Sequence, residues 1–418
     1  MKRSTQPHIC FLTSSFPDYQ GSYRGIFVWR AAQKLMERGY RVKVVTPRLF
    51  KRSKRCEVFA GVPVYRFPFL SEEKLLIEYD KIPMARMVTY MCSALVACLL
   101  VARKNSSQMI HAHFVLPTGL IGAVVGRLLR IPVVIHAHGS DMTRYARLEP
   151  WLHWLTTLTT GAADHIIAVS DELSKILREE FQVPSEKITV RNCSVDTEYF
   201  RPLPRREARK QLGLPCHDTI ALFVGSLSRW KGVDLLLSAF KRVKDHHASL
   251  KLYVVGDGPL QKELRARARR LGIEKTVHFV GHKENQQMPL WYNAADIFVL
   301  PSLREGTPVS LLEALSCGVP AVVSRAGGMP EIIKDGHNGL LSNTGDASDL
   351  GEKIAMLLGS EDLRQRFKKN GRQTILEKGR IQQEIDVVVD VYSNLGLLSA
   401  QAQDSLFDKQ DMDVSNVL

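Results

Sequence analysis

The sequence predicts an α/β fold with two domains, each built around a parallel sheet. Its 418 residues exceed what one hydrophobic core usually organises, so two domains of roughly 200 residues each are expected. Strand-like and helix-like segments alternate in two separate series, and such alternation builds a parallel sheet that helices cover on both faces. A segment rich in proline and arginine, TEYFRPLPRREARKQLGLP, lies between the two series and marks the domain crossing.

The first series predicts a domain over residues 1–197. The apolar segment HICFLTSSF is a buried strand ending in a loop, GIFVWRAAQKLMERGY has helical spacing up to Gly39, and RVKVVTP is the next strand. The pattern recurs with MIHAHF, a helix over residues 118–129, PVVIHAHG, and a helix before DHIIAVS.

The second series predicts a ligand-binding domain over residues 198–380. Its strands are TIALFVG, LKLYVVG, VHFVG, DIFVLPS and PAVVS. In open parallel sheets, ligands bind outside the carboxyl ends of the strands, so the loops that begin at Gly225, Gly256, Gly281 and Ser302 are expected to bind a nucleotide or a phosphate. A polar, acidic tail over residues 399–418 is predicted to be disordered.

The net charge of +14 favours anionic partners without choosing among nucleic acid, lipid and phosphorylated substrates. The sequence has no helix-turn-helix, zinc-finger or aromatic RNA-binding signature, so nucleic acid is not an expected partner. Basic residues gather over residues 51–55 and 201–210. At both places a solvated loop and a lipid-facing patch remain open alternatives.

Cysteine usage and the apolar segments predict a cytoplasmic protein. The seven cysteines are scattered, with no CxxC pair, which fits a reducing compartment. The short apolar run near the N-terminus leads into a loop and is not typical of a signal peptide. The most apolar stretch, residues 87–102, is about 16 residues long, short of the roughly 20 that span a bilayer, and is predicted to be a buried helix.

The segment PSLREGTPVSLLEALSCGVP carries the most information about function. A strand ends at Pro301, a loop holds Glu305 and Gly306, and Thr307 with Pro308 open a helix that Gly318 closes. The helix amides near Val309 suit a phosphate, and Glu313 can accept hydrogen bonds from a diol such as a ribose. Glu305 is then expected to bind hydroxyls of the attached sugar.

Ser302, Glu305, Gly306 and Glu313 match the Ser-x-x-Glu-Gly pattern with a second glutamate eight positions after the first, and in this context the chain resembles glycosyltransferase family 4. The segments VGSLSRWKGVDLL, VVGDGPLQKEL, WYNAADIFVLPS, CGVPAVVS and GGMPEIIKDGHNGLL are similar to that family's second domain in the same order. The resemblance implies a GT-B fold, in which two Rossmann-like domains face a central cleft. It also implies that a last helix, over about residues 381–398, completes the first domain.

The resemblance also implies roles for the donor-binding residues. Arg229 and Lys231 are expected to bind the diphosphate, although Ser226 stands where the family commonly has an arginine, which makes Arg229 the proposed substitute. Gly306, Thr307 and Val309 are expected to line the donor site beside Glu313, and Gly281 with His282 to contact the nucleobase.

In the first domain, the loop FPDYQGSYRGIFV places Gly21 and Gly25 where the family contacts the donor, and glycines there let backbone amides approach it. The loop is similar to a subgroup that includes teichuronic acid biosynthesis transferases. The segment HAHGSD resembles the family's His-Gly-Ser-Asp segment, which implies that His138 and Asp141 point into the cleft. Glu305, His138 and Lys231 are therefore the expected catalytic residues.

Four histidines could suggest zinc, since His111 and His113 end one strand while His136 and His138 end another. Within each His-Ala-His pair both imidazoles lie on one side of the strand, with one buried deeper than the other, which does not favour convergence on one ion. The resemblance also implies a reaction without a metal. We therefore expect no metal and no cofactor.

Together these observations predict a glycosyltransferase of the hexosyltransferase type, and the resemblance implies that it retains the anomeric configuration. Its expected partners are a UDP- or GDP-sugar donor and a saccharide or lipid-linked acceptor, in cell-surface polysaccharide or glycoconjugate biosynthesis. The basic first domain predicts peripheral attachment to the anionic inner face of the plasma membrane. A nucleotide-sugar epimerase of the same fold is the alternative, and a basic nucleic-acid-binding protein is a weaker one.

Overall fold

The computed structural model describes residues 6–22, 24–71, 73, 83–139, 142 and 149–398. The described residues form two compact units. The first takes the chain up to Arg191 and again from Glu384 onward, and the second spans Asn192–Gln383. The sequence placed these boundaries after residues 197 and 380. The predicted tail, residues 399–418, lies outside the described residues.

The first unit contains an eight-stranded sheet with the order β3-β4-β2-β1-β5-β6-β7-β8. Its strands are β1 (His8–Thr13), β2 (Arg41–Pro47), β3 (Cys56–Phe59), β4 (Val62–Phe67), β5 (Met109–His113), β6 (Val133–Ala137), β7 (His165–Ala168) and β8 (Ile188–Val190). All neighbouring pairs are parallel except β3 and β4, which form an antiparallel hairpin that the sequence analysis missed. The central strands are buried because helices cover both faces.

Among the described residues, six helices accompany this sheet. They are α1 (Ile26–Glu37), α2 (Met84–Lys104), α3 (Leu120–Leu129), α4 (Pro150–Ala162), α5 (Asp171–Glu179) and α14 (Ile381–Asn394), the last one returning from the end of the chain. Tyr392 of α14 forms an edge-on ring contact with Tyr40, and its hydroxyl lies 2.5 Å from Nδ1 of His111. The C-terminal helix is thus packed into the core of the first unit.

Helix α2 corrects the prediction of a buried helix over residues 87–102. Only one stripe of it is buried, including Tyr90, Ala94 and Cys98, because a crossover helix presents a single side to the sheet. Among the described residues it is the one helix long and apolar enough to cross a bilayer by length and composition, and 22% of its most apolar window is buried. Its packing on β1, β2 and β4 identifies it as a crossover helix of the sheet.

The second unit contains a six-stranded parallel sheet with the order β11-β10-β9-β12-β13-β14. Its strands are β9 (Thr219–Val224), β10 (Leu250–Val255), β11 (Val277–Gly281), β12 (Ile297–Leu300), β13 (Ala321–Ser324) and β14 (Leu340–Ser342). Its helices are α6 (Arg205–Leu212), α7 (Val233–Lys244), α8 (Gln261–Arg270), α9 (Met288–Ala294), α10 (Val309–Ser316), α11 (Met329–Ile332), α12 (Ala347–Gly359) and α13 (Glu361–Lys378). The predicted pair of parallel-sheet units is confirmed.

Strand order decides where the second unit places its loops. Strand β9 lies between β10, which follows it in the chain, and β12, which arrives later. The strand order therefore reverses between β9 and β12, and ligands of open α/β sheets bind in the crevice at such a point. The loops that follow β9 and β12 are brought side by side there.

The basic cluster over residues 201–210 is partly structural. The guanidinium of Arg209 is buried and donates to Asp296 at 2.7 Å, and Arg205 pairs with the same carboxylate. Asp296 also accepts a hydrogen bond from the amide of Ile220. These contacts tie α6 to the start of β9, so this part of the positive charge serves folding.

Candidate active site

Glu305 lies in the loop after β12 and is held by two side chains. The Ser302 hydroxyl donates to Oε1 of Glu305 at 2.7 Å, and the Lys231 ammonium forms a salt bridge with the same oxygen. Ser302 is buried, while Lys231 and Glu305 are only partly covered. The carboxylate is therefore fixed in position and open to a ligand on one side.

Lys231 reaches Glu305 because backbone contacts lock the β9 loop onto the β12 loop. Gly232 has a φ of +62°, and a Cβ atom there would overlap the carbonyl oxygen of Pro301. The Leu303 amide donates to the Trp230 carbonyl at 2.7 Å. Only glycine combines this backbone conformation with so close an approach, so the position of Lys231 depends on the residue beside it.

A second glycine supports the loop that carries Glu305. Gly327, in the turn after β13, has a φ of +56°, and a Cβ atom there would overlap the Glu305 carbonyl oxygen. The Gly328 amide also donates to the Gly306 carbonyl at 2.9 Å. The segment GGMPEI appeared in the sequence analysis only as a resemblance, and its role in holding the Glu305 loop was missed.

Glu313 lies on α10 and is almost fully buried. One carboxylate oxygen accepts a hydrogen bond of 2.7 Å from the Tyr292 hydroxyl of α9. The helix begins at Val309, with Pro308 at the N-cap position, one residue later than the sequence analysis placed it. The pyrrolidine ring fixes the φ angle of Pro308, and this holds the backbone in place where the chain enters the helix.

The other predicted donor residues lie along the same carboxyl edge. Arg229 is exposed on the short turn that also carries Lys231, and Thr307 is buried beside the N-terminus of α10. Gly281 ends β11, where its carbonyl accepts a hydrogen bond of 2.9 Å from the Gly256 amide, and His282 follows it half-buried. Among the described residues, no hydrogen bond or salt bridge joins Arg229 to Glu305.

The loop after β1 holds both predicted glycines of the first unit. Gly21 and Gly25 have φ angles of 96° and 61°, and a Cβ atom on Gly25 would overlap the Ser15 carbonyl. Gly25 therefore has a structural reason to be glycine, whatever its ligand contacts. The same loop carries Asp18, which sequence reasoning missed. Burial raises the pKa of Asp18 to about 6 despite the positive charge of Arg24, and such a group can hold a proton near neutral pH.

His138 belongs to a stack of four imidazoles at the carboxyl ends of β5 and β6. The ring of His138 lies nearly parallel to those of His113 and His136, and its Nε2 is 3.1 Å from Nδ1 of His113. Burial, reinforced by the neighbouring imidazoles, lowers the pKa of His138 well below its ordinary value. It is therefore a neutral hydrogen-bonding group at pH 7. Asp141, predicted beside it, lies outside the described residues.

The three innermost histidines bear on the metal question. The nitrogens of His111, His113 and His136 lie within 4.8 Å of one another, the one such group of three in the described part of the chain. Their planes are within 20° of parallel. Imidazole binds a metal along an in-plane lone pair, and stacked parallel rings direct those lone pairs side by side. This arrangement does not suit a shared ion, and the expectation of no metal stays a prediction.

Comparison with known families covers most of the chain. Residues 25–199 match the model described as glycosyltransferase family 4, and residues 204–374 match glycosyl transferases group 1. The chain therefore contains a domain of each family, glycosyltransferase family 4 and glycosyl transferases group 1. The two matches correspond to the two series of strands and helices, so the recognition made from Glu305 and Glu313 is confirmed. The protein is a glycosyltransferase.

Relatives of this glycosyltransferase include two Bacillus proteins. It is 29% identical over 361 residues to a Bacillus subtilis protein named as a teichuronic acid biosynthesis glycosyltransferase, TuaC, covering 83% of this chain and 88% of that protein. It is 27% identical to the N-acetyl-α-D-glucosaminyl L-malate synthase of Bacillus anthracis, over 70% of this chain and 76% of that one. The resemblance to the teichuronic acid subgroup is confirmed.

Solved structures show that the glycosyltransferase has the GT-B fold. Sucrose-phosphate synthase from Thermosynechococcus elongatus aligns with a TM-score of 0.78 at 21% identity, covering 93% of this chain and 99% of that one. HepE of Anabaena, solved in complex with UDP, aligns with a TM-score of 0.74 at 20% identity, covering 93% and 100%. The predicted fold class is therefore confirmed.

Proposed function

We propose that this glycosyltransferase moves a hexosyl group from a nucleotide sugar to a saccharide or lipid-linked acceptor, with retention of anomeric configuration. The observation that carries the proposal is the cluster of Lys231, Glu305 and Ser302 at the switch point of the second sheet. It combines a cation for a phosphate with a fixed carboxylate for sugar hydroxyls. Glu313 stands on the neighbouring helix α10.

The leaving group sets the main electrostatic task. As the bond between the anomeric carbon and the phosphate oxygen breaks, negative charge grows on that phosphate. In the proposed complex, the Lys231 ammonium, the free amides at the N-terminus of α10 near Val309, and Arg229 stabilise this charge. Lys231 is shared between the phosphate and Glu305, which couples diphosphate binding to the placement of the sugar.

Glu305 and Glu313 have separate tasks in this proposal. Glu305 accepts hydrogen bonds from hydroxyls of the transferred sugar, and the Ser302 bond fixes its orientation. Glu313 accepts hydrogen bonds from the ribose of the donor while Tyr292 holds its other side. In the first unit, His138 serves as a neutral hydrogen-bonding group for the sugar.

Retention follows if the acceptor attacks from the face that the phosphate leaves. The bond from the anomeric carbon to the phosphate oxygen breaks, and the acceptor hydroxyl oxygen bonds to the same face of that carbon. The acceptor proton then passes to the departing phosphate oxygen. This step needs neither an oxidant nor a metal, which agrees with the expectation of no cofactor.

The donor is proposed to be a UDP- or GDP-sugar. The solved structures of HepE in complex with UDP and with UDP-glucose have the same fold and support a uridine nucleotide. The relative named for teichuronic acid biosynthesis supports a role in polysaccharide or glycoconjugate biosynthesis. We place the reaction in the cytoplasm, at the inner face of the plasma membrane, where a lipid-linked acceptor is available.

A thermal-shift panel of nucleotide sugars tests the donor, because a ligand that binds only the native state raises the melting temperature. The nucleotide sugar that raises the melting temperature is then incubated with the protein alone and with the protein and an acceptor. The anomeric configuration of the products is determined by NMR. A glycoside that keeps the donor's configuration supports the proposal. An altered donor sugar formed without acceptor would instead establish an epimerase.

A further inference from the structure

Helix α2 presents an apolar stripe to solvent. Val88, Cys92, Val96 and Leu100 are all exposed, and Val96 and Leu100 are 55% and 61% exposed. Their four-residue spacing puts them on one side of the helix, opposite the buried Ala94 and Cys98. A surface helix of a soluble domain normally carries charged residues at such positions.

The neighbouring helices extend this apolar stripe. Helix α3 packs against both α2 and α4, and these three crossovers step in the same direction across the sheet, so they lie on one face of it. Val124 and Leu128 of α3 are exposed, as are Trp151 and Trp154 of α4, at 41% and 60%. The outward sides of α2, α3 and α4, here called the apolar face, form a patch of the kind that marks an interaction site.

The charge on the apolar face is of one sign. Helices α2, α3 and α4 contain no aspartate or glutamate. Arg103 and Lys104 at the end of α2, and Arg127 at the end of α3, are exposed. Both helices run antiparallel to the strands, so these cations gather along one margin of the face.

We propose that the apolar face docks onto an anionic lipid bilayer. Exposed tryptophans and aliphatic side chains suit insertion at the boundary between headgroups and acyl chains, and each nearby cation adds attraction to anionic headgroups. A second copy of this chain fits the face less well. Two-fold pairing brings each patch against itself, and the cations would then meet cations with no carboxylate on these helices to pair with them.

The face docks with α2 lying along the membrane surface. Tyr90, Ala94 and Cys98 pack against the sheet, and spanning the bilayer would strip them from it. The inference rests on the proposed membrane localisation and identifies the surface responsible. It does not depend on the donor.

Native cysteines provide a direct test. With Cys56 and Cys216 replaced by serine, Cys92 is the exposed cysteine that remains, since the other four are buried. An environment-sensitive fluorophore on Cys92 is expected to shift to the blue on vesicles of phosphatidylcholine and phosphatidylglycerol, and less on phosphatidylcholine alone. The matched control carries the fluorophore on Cys216 of the second unit, with Cys56 and Cys92 replaced, and is expected to show no shift.

Charge substitutions give the second arm, measured by vesicle flotation. The double variant V96E/L100E is expected to lower the bound fraction at least roughly tenfold, while M356E, at a position 53% exposed on α12, behaves as wild type. R103Q and R127Q, each of which removes one positive charge, are expected to weaken anionic-vesicle binding about fivefold at low salt. Unchanged melting temperatures check that each variant folds.

Three results would overturn the inference. The first is that the wild-type protein does not float with anionic vesicles, and the second is that V96E/L100E floats as well as the wild type. The third is that the protein forms a dimer without lipid and that V96E/L100E dissociates this dimer, which would assign the face to self-association. Transfer to a soluble acceptor is measured alongside. If it persists without vesicle binding, the docking surface is wrong while the transferase proposal stands.

Discussion

The carboxyl edges of the two sheets differ in the charge of the side chains that line them. The second sheet places charged groups there, with Lys231 and Glu305 partly exposed and paired. The first sheet places neutral imidazoles there, in a stack that includes the buried His136 and the half-buried His138. A group that must balance growing phosphate charge has to be ionised, whereas a group that positions hydroxyls works best without a charge to desolvate. The difference indicates that the second unit stabilises the negative charge of the phosphate.

The sharpest test removes charge from the second edge while keeping its shape. Glu305→Gln is expected to lower the transfer rate by about 100-fold to 1,000-fold, the usual cost of one preorganised electrostatic contact, with nucleotide affinity nearly unchanged. Glu313→Ala is expected to weaken nucleotide affinity first. Steady-state kinetics and calorimetric titration with the nucleotide separate the two effects. The control Glu352→Gln alters an exposed glutamate on α12, and equal losses in the two site variants would contradict the division of tasks.

The second test concerns the backbone that supports Glu305. Gly327→Ala is expected to cost about 3 kcal/mol of unfolding free energy, since the added methyl group meets the Glu305 carbonyl in a strained conformation. Gly336→Ala is the matched control, because Gly336 has a φ of +71° and nothing within 4 Å of a Cβ atom. It is expected to cost only about 1 kcal/mol. Denaturant unfolding measures both, and equal costs would show that the contact with Glu305 carries no weight.

The third test uses pH to probe the first edge. Burial lowers the pKa of His136 to about 4, so below pH 6.5 the unfolded chain binds a proton that the folded chain does not. Stability is therefore lost as pH falls from about 6.5 towards 4, by about 3 kcal/mol from this histidine over that range. The other stacked histidines add to the loss.

Hydrogen exchange, corrected for intrinsic rates, locates this loss of stability. As the pH is lowered from about 6.5 towards 4, the protection of backbone amides in β5 and β6 is expected to decrease more steeply than the protection of those in β9 and β12. Substituting the exposed His246 by glutamine should leave the slope unchanged. Equal slopes in the two sheets would remove the contrast between the two edges.

The smallest expected effect is that of chelation. If neither edge uses a metal, dialysis against EDTA should leave the transfer rate and the melting temperature unchanged, because Lys231 and the helix amides provide the positive charge. The control is a second dialysis in which zinc or magnesium is restored. A loss of activity that one metal reverses would show that the stacked histidines, or groups near Glu305, rearrange to bind it.

Most of the fold could be predicted because each of these strands has a local sequence signal. Runs such as TIALFVG and MIHAHF are apolar, short and bounded by turns, which suffices to count parallel strands. The β3–β4 hairpin was missed although a signal existed, since Ala60 and Gly61 separate two short strands as a two-residue turn. The exposure of α2 could not be read, because burial of an apolar helix depends on what covers it.

The candidate site was predictable in its residues and not in its contacts. Motif spacing singled out Glu305 and Glu313, and the resemblance to the family singled out Lys231, yet Lys231 and Glu305 are 74 positions apart. Their salt bridge depends on β9 lying next to β12. Gly327 was missed for the same reason, since its task is to leave room for a backbone distant in the chain. The pKa of Asp18 also depends on burial that no local pattern reveals.

The return of helix α14 to the first unit sets an order of events during synthesis. The ribosome delivers the eight strands of that unit first, but Tyr392, which contacts both Tyr40 and His111, emerges only after the whole second unit. The first sheet therefore lacks the cover of helix α14 until the second unit has been synthesised. Nascent chains halted before residue 392 would carry an exposed core, so chaperone demand should concentrate in the interval before the last helix leaves the exit tunnel.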